Sequence, residues 1–338
     1  MSAERPTVTR RDALRITALA GISLAFGAKL RERAVLHRVH DTRRGLGTLI
    51  TLTVEHPDGA EARRMLERAF HTVEGLESIL SRHRPGTALS ALNRTGTLER
   101  VPSELMQVLR AAREVWARSD GAFDPSILPV LTLYEACSRE GRLPTQVELR
   151  SARAQVGFEG IRLGEDRVEF ARPGMGITLD GIAKGYVVDR VVERLVSDGA
   201  QRVLVDAGGD MAAGGTTSLR EPWRVALQDP RSSERSVGQI ALAGTAVATS
   251  GDYMRTFSED RSAHHILDPR TGTSPTEIAS VSVTAPSAML ADALSTAALV
   301  LGPRDGLRLL ERTPHAEGAL VAKTGEVSRT SGWAALEL

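Results

Sequence analysis

The 338-residue chain balances 43 basic against 42 acidic side chains, with 41% apolar and 25% charged residues and one cysteine. This is the make-up of a soluble globular protein, long enough for two ordinary domains or one large elaborated one, and its near-neutrality argues against general nucleic-acid binding, which needs a basic surface. The lone Cys137 excludes an intramolecular disulfide and a cysteine-based zinc site, and it reads as a buried thiol.

Arg10 and Arg11 precede a mostly apolar run over residues 16–28, and no acid occurs from 13 to 30. A charged start followed by a short apolar stretch is the pattern of a secretory signal, too short for the roughly 20 residues of a bilayer span. The paired arginines resemble a twin-arginine export signal over residues 1–30. Phe26-Gly27-Ala28 is a poor Ala-x-Ala cleavage site, so retention as an inner-membrane anchor is a second expectation. The other reading is an amphipathic N-terminal helix packed on the domain. Residues 31–44 read as a linker.

A strand is expected over 47–56, then an amphipathic helix over 58–82 with Met65, Leu66, Phe70, Val73, Leu76 and Leu80 at helical spacing. Another helix follows Pro102, and Pro125, Pro129 and Pro144 then interrupt regular structure around "GAFDPSILPVLTLYEA". A short polar helix at 145–156 leads to strand-like pieces at "IRLG", "RVEFAR" and "GITLD", and a helix at 182–197 follows. Strands then recur at "RVLVDA", "WRVALQD", "QIALAG", "AVATSG", "HHILD" and "SVSVTA". Helices at 287–301 and 305–313 and a strand near "GALVAK" close the chain. Strands and helices mix without strict alternation, which predicts an α+β fold rather than a doubly wound sheet.

Five stretches concentrate polar chemistry where strands meet glycines. In "TLDGIAKG" a helix opens after Asp180-Gly181, and Lys184 sits in its first turn against the helix dipole. A cation there points to an anion nearby; the bland reading is a surface lysine. Only three of the basic residues are lysines (Lys29, Lys184 and Lys323), which makes its position more notable. "LVDAGGDM" runs a strand into paired glycines, and "AVATSGDYMR" offers Thr249, Ser250, Asp252 and Arg255 as polar groups or as a plain turn. In "HHILDPRTG", His264 and His265 would face opposite sides of a strand, so at most one meets a given pocket. In "MLADALSTAALVLG", Leu290, Leu294, Ala297, Ala298 and Leu301 share one helical face while Asp292 and Thr296 sit four apart on the other. A buried carboxylate must be paired, hydrogen-bonded or metal-bound. Asp292 with Thr296 makes a hard-oxygen pair suited to Mg²⁺; the equal alternative is a carboxylate capping backbone amides.

In their order and spacing these stretches resemble the ApbE family, the FAD:protein FMN transferases, from about residue 45 to the C-terminus. The resemblance implies a T-fold-like arrangement of mixed sheets and packed helices over 45–338, with the ligand cleft between subdomains. It implies FAD as substrate, Mg²⁺ as cofactor, release of AMP, and attachment of FMN to a Thr or Ser hydroxyl of another protein. Residue by residue, the metal carboxylate and hydroxyl of the family's "ADALAT" fall on Asp292 and Thr296, with Ser295 beside them, and a metal-binding carbonyl falls on Gly181. The flavin-contacting lysine falls on Lys184 and the family histidine on His265, read here as base or orienting group, with Ile266 near the ligand. The "GAFD" motif places Ala122, Phe123 and Asp124 near FAD, and "LGGD" resembles residues 207–210. Three positions depart from the family pattern. Thr178 replaces the usual Asp, with Asp180 two residues on as its substitute; His83 replaces a flavin-facing Tyr; and Leu46 replaces the Met of an early Met-Gly-Thr.

The acceptor implied by the export signal is an exported protein. The same pocket would also serve a Mg²⁺-dependent FAD pyrophosphatase that releases FMN and AMP. A flavin-binding or flavin-delivery protein without turnover is a further alternative. A periplasmic solute-binding protein fits poorly, because no pair of similar lobes is visible.

Overall fold

The computed structural model describes residues 35–216 and 221–338; the predicted export signal and residues 31–34 lie outside them. Strand β1 (His37–Gly45) pairs antiparallel with β2 (Thr48–His56). Leu46 and Gly47 join them, both with positive φ (51° and 74°), as a two-residue hairpin turn requires. Residues 37–44 are therefore an edge strand and not the expected linker. Their polar sequence misled because an edge strand keeps charged side chains in solvent.

Helices α1 (Gly59–Leu80), α2 (Ala88–Thr95) and α3 (Ser103–Arg118) follow, with β3 (Thr97–Glu99) before the third. Asp58 caps α1 by accepting from the amides of Ala60 and Glu61. Helices α4 (Leu128–Arg139) and α5 (Gln146–Arg153) lead to β4 (Ile161–Leu163) and β5 (Arg167–Phe170), and the three short strands pair in the order β3-β5-β4. Helix α6 (Ala183–Ser197) precedes β6 (Arg202–Ala207) and β7 (Asp210–Gly214). The hairpin β8 (Trp223–Asp229) and β9 (Ser232–Leu242) is followed by β10 (Ala246–Gly251) and β11 (Ile278–Ala285). Helix α7 (Ala288–Glu311), β12 (Glu317–Ala322) and β13 (Val327–Arg329) complete the fold.

The main sheet has eight strands in the order β1-β2-β6-β7-β10-β11-β12-β13, each neighbouring pair antiparallel. Both its faces are covered, and the two-residue period of a strand sorts the side chains between them. Val203, Val205 and Ala207 of β6, with Ala246 and Ala248 of β10, pack under α1, α6 and α7. Leu204 and Val247 point the other way, into a second cluster with Trp223, Ile240 and Trp333. The hairpin β8–β9 roofs that face. This is the α+β arrangement that the sequence predicts.

Two expected strands are absent. Residues 176–180 run without ladder pairing, and "HHILD" contributes only an isolated bridge between His264 and Thr256. Both carry apolar residues because they are largely buried loops, with the Ile177 amide bonded to Asn93 and the His264 amide bonded to Ser274 in place of a neighbouring strand. Helix α7 breaks at Gly302 (φ 80°) before Pro303, which matches two successive helices. Among the described residues no helix is long and apolar enough to cross a membrane.

A third apolar cluster, with Val130, Leu131, Tyr134, Leu149 and Leu267, holds α4 and α5 against the 257–267 loop. A cleft lies between this cluster and the helical face of the main core.

Candidate active site

The cleft is built where two helices are forced close. Gly185, in the first turn of α6, lies against the start of α7; a Cβ there would sit 2.2 Å from the Ala288 carbonyl oxygen. This contact brings the Gly185 amide to Asp292, whose Oδ2 accepts it at 3.2 Å. Asp189, one turn further along α6, accepts from the amides of Ala288 (2.7 Å) and Met289 (2.9 Å) and so caps α7. Asp292 is 4% exposed and its other oxygen has no hydrogen-bond partner among the described residues. Burial pushes its pKa well up; Asp210 adds to this, while Lys184 and the Gly185 amide oppose it. One oxygen of Asp292 thus holds a backbone amide, and the residue also lines the cleft.

Thr296 lines the cleft one turn on from Asp292, and Gly181 lies beside it. A Cβ on Gly181 would come within 3.0 Å of Thr296 Oγ1 and 3.4 Å of Phe123, so only glycine leaves this space open. Ser295 is fully buried and does not line the cleft; its hydroxyl donates to the Asp292 carbonyl at 2.9 Å. Lys184 pairs with Asp210, which is almost fully buried on β7. Burial alone would lower the Lys184 pKa, but the carboxylates of Asp210, Asp292 and Asp206 outweigh it and hold the ammonium charged. Asp206, on β6, is pushed up to about 6 by burial and by Asp210. One cation therefore serves three buried carboxylates, and the set is short of positive charge. Among the described residues no cluster of three or more His, Cys, Asp or Glu is placed to hold a metal. A divalent ion here would rest on one carboxylate and neutral oxygens, and Asp292, Thr296 and the Gly181 backbone offer that donor set, which suits Mg²⁺.

The other end of the cleft is apolar. Phe123, Ile127, Leu131, Met254, Ile266 and Pro269 line it, with Ala122 beside Phe123. Met254 is 58% exposed, which sets it at the mouth. Asp124 also lines the cleft, but its oxygens already accept from the amides of Ser126 (2.8 Å) and Phe158 (3.0 Å), so it ties two loops together. His265 lines the cleft and His264 is buried behind it, with Nε2 donating to the Pro275 carbonyl. Nδ1 of His265 lies 3.2 Å from the Arg255 carbonyl oxygen. A carbonyl only accepts, so Nδ1 carries the proton and Nε2 is a bare lone pair. Burial pushes the His265 pKa down to about 4, so the ring is neutral at pH 7.

Thr178 and Asp180 sit in a local turn and not on the expected strand. The Asp180 amide donates to Thr178 Oγ1 at 3.2 Å, and both residues line the cleft. Half-buried Arg82 holds Asp180 through Nε (2.8 Å) and reaches Glu135 (2.9 Å), which also takes Arg255. Besides Ser295, two residues singled out by the family resemblance stand outside the lining. His83 is exposed, with its ring nitrogen 3.9 Å from Asp180, because Arg82 takes the inward position after α1 ends. Leu46 occupies the β1–β2 turn, packed against the main core. Sequence reasoning did not single out Ile127, Leu131 or Met254; their only signal is an apolar side chain next to a polar turn. Gly208 also lines the cleft, whereas Asp252 is buried elsewhere in an ion pair with Arg231.

The arrangement has known counterparts. The chain is 29% identical over 304 residues to the FAD:protein FMN transferase of Vibrio cholerae, covering 88% of this chain and 90% of that protein. It is 31% identical over 310 residues to the protein of the same name from Haemophilus influenzae, covering 86% and 88% respectively. The crystal structure of the ApbE protein from Thermotoga maritima superposes with a TM-score of 0.82 at 29% identity, over 89% of this chain and all of that one. The flavin transferase ApbE from Vibrio cholerae gives 0.78 at 26% identity, again over 89% of this chain and all of that one. The sequence model of the ApbE family matches residues 46–320, most of the chain, and the chain therefore belongs to the ApbE family.

Proposed function

We propose that this protein is a Mg²⁺-dependent FAD:protein FMN transferase acting on an exported acceptor. The observation that carries the reading is the cleft itself. One end offers Asp292, Thr296 and Lys184 to an anion with its metal, and the other offers an apolar slot under Phe123 and Ile266 for a flat ring. A flavin dinucleotide has both characters in one molecule. Asp292, Thr296 and the Gly181 backbone would hold the ion. When bound, Mg²⁺ supplies charge neutralisation at the diphosphate and polarises the phosphorus.

The residues of the chain do the rest. Lys184, held charged by Asp210, adds electrostatic stabilisation as negative charge develops on the diphosphate. The acceptor hydroxyl oxygen forms a bond to the FMN phosphorus, and the bond from that phosphorus to the bridging oxygen breaks. The bridging oxygen leaves with AMP. The hydroxyl proton passes to Nε2 of His265, which geometry and burial keep unprotonated at neutral pH. The apolar walls limit water, which would otherwise take the place of the acceptor. The paired arginines at 10 and 11 support export and an acceptor on the outer side of the cytoplasmic membrane.

The test mixes the purified protein with FAD, Mg²⁺ and a candidate exported acceptor, then measures acceptor mass and free nucleotides. A gain of one FMN with an equivalent of AMP is expected. Free FMN without acceptor modification would make the protein a pyrophosphatase, and absence of turnover would make it a carrier.

A further inference from the structure

Ser250 lies on β10, where the two-residue alternation puts it on the same face as Ala246 and Ala248, toward α7. Its Oγ is 2.8 Å from Ser295 Oγ and 3.1 Å from Thr296 Oγ1. Ser295 Oγ in turn is 2.9 Å from the Asp292 carbonyl oxygen. That last contact sets the direction of the whole chain. A carbonyl can only accept, so Ser295 spends its single proton there. Ser295 must then accept from Ser250, and Ser250, with its own proton spent, must accept from Thr296. The proton of Thr296 therefore points into the protein, toward β10, and the lone pairs of its oxygen are left for the cleft.

We propose that Ser250, supported by Ser295, is a positioning residue that orients the Thr296 hydroxyl so that its lone pairs face a divalent cation beside Asp292. The inference rests on the reading of Asp292 and Thr296 as the metal pair. A threonine hydroxyl free to rotate would spend part of its time pointing a proton at the cation. A hydroxyl locked from behind needs no reorganisation when the ion arrives. Ser295, which the family resemblance set beside the metal-binding residues, instead anchors the proton chain from the fully buried side.

The experiment measures Mn²⁺ binding to the full protein by electron paramagnetic resonance, without flavin, and competes the ion off with Mg²⁺. Ser250→Ala is expected to weaken Mn²⁺ binding about tenfold, with Ser250→Thr restoring most of it. Ser295→Ala, which leaves the cleft lining intact, is expected to weaken it several-fold. In turnover, Ser250→Ala raises the Mg²⁺ concentration needed for half-maximal rate while kcat at saturating Mg²⁺ stays close to wild type. Circular dichroism melting checks that each variant is folded. Asp292→Asn and Thr296→Val are the controls. If both controls lose Mn²⁺ but Ser250→Ala and Ser295→Ala bind like wild type, the relay is overturned and the metal pair stands. If the controls also bind like wild type, the metal pair is wrong and the relay falls with it.

Discussion

Asp189 on α6 and Asp292 on α7 are linked through the helix N-terminus between them. Asp189 accepts from the first two amides of α7, and α7 then delivers Asp292 back to the Gly185 amide of α6. The two helices are thus laced together by a carboxylate in each direction. Asp189→Asn keeps one acceptor oxygen and leaves one of the two amides without its partner. The expected cost is about 1–2 kcal/mol of stability. Because α7 carries the proposed metal pair, Asp292 and Thr296, Mg²⁺ affinity is expected to fall with it. Chemical denaturation and metal titration of the same variant check both.

Asp292→Asn separates function from stability. The carboxylate is held in a buried site that raises its pKa, with Asp210 adding repulsion. An amide there relieves the repulsion and keeps an acceptor for Gly185. The melting temperature without metal is expected to stay the same or rise, while Mg²⁺-dependent turnover falls at least about 100-fold. A loss of stability comparable to the loss of activity would contradict this assignment.

Gly185→Ala tests the close approach of the helices. The added methyl meets the Ala288 carbonyl and the Met289 amide nitrogen at 2.2 and 2.6 Å, and both are backbone. Neither can swing aside, so α6 and α7 must separate. A loss of about 3 kcal/mol is expected, with lengthening of the Asp292–Gly185 bond visible as faster exchange of the Gly185 amide.

His265 sets a pH signature. Its pKa of about 4 in the folded protein lies below the value of about 6.5 of a histidine in an unfolded chain. Between those values the unfolded chain binds a proton that the native state refuses. Stability is therefore complete above about pH 6.5 and declines as pH falls toward 4. His265→Gln is expected to flatten that part of the stability curve. The same variant should lower kcat about 100-fold without changing the Mg²⁺ requirement, because it removes the proposed base and none of the proposed metal ligands. A stability profile identical to wild type from pH 7 to 4 would sink the burial assignment.

Much of this was legible in the chain because it is local. The apolar spacing over Met65, Leu66, Phe70 and Val73 gives α1, and all four are buried in the main core. The i, i+4 placement of Asp292 and Thr296 puts them on one side of α7, and both line the cleft. What stayed hidden depends on distant partners. The pairing of Lys184 with Asp210 spans 26 residues, and the contact of Ser250 with Ser295 spans 45. No spacing rule reaches across such separations. The loop at 176–180 imitated a strand because burial imposes apolar residues on it regardless of pairing. Arg82, not His83, turned inward because Glu135 and Asp180 offered a planar guanidinium two anchors.

The cleft draws its lining from segments near 122, 178, 208, 250, 265 and 292. A nascent chain emerging from the ribosome lacks α7 until translation has passed residue 288, when more than four-fifths of the polypeptide has been made. No earlier fragment holds Asp292 and Thr296 together with the apolar lining around Phe123 and Ile266. The complete cleft is thus a late product in the biogenesis of this protein, coupled to completion of the whole domain rather than to any one of its parts.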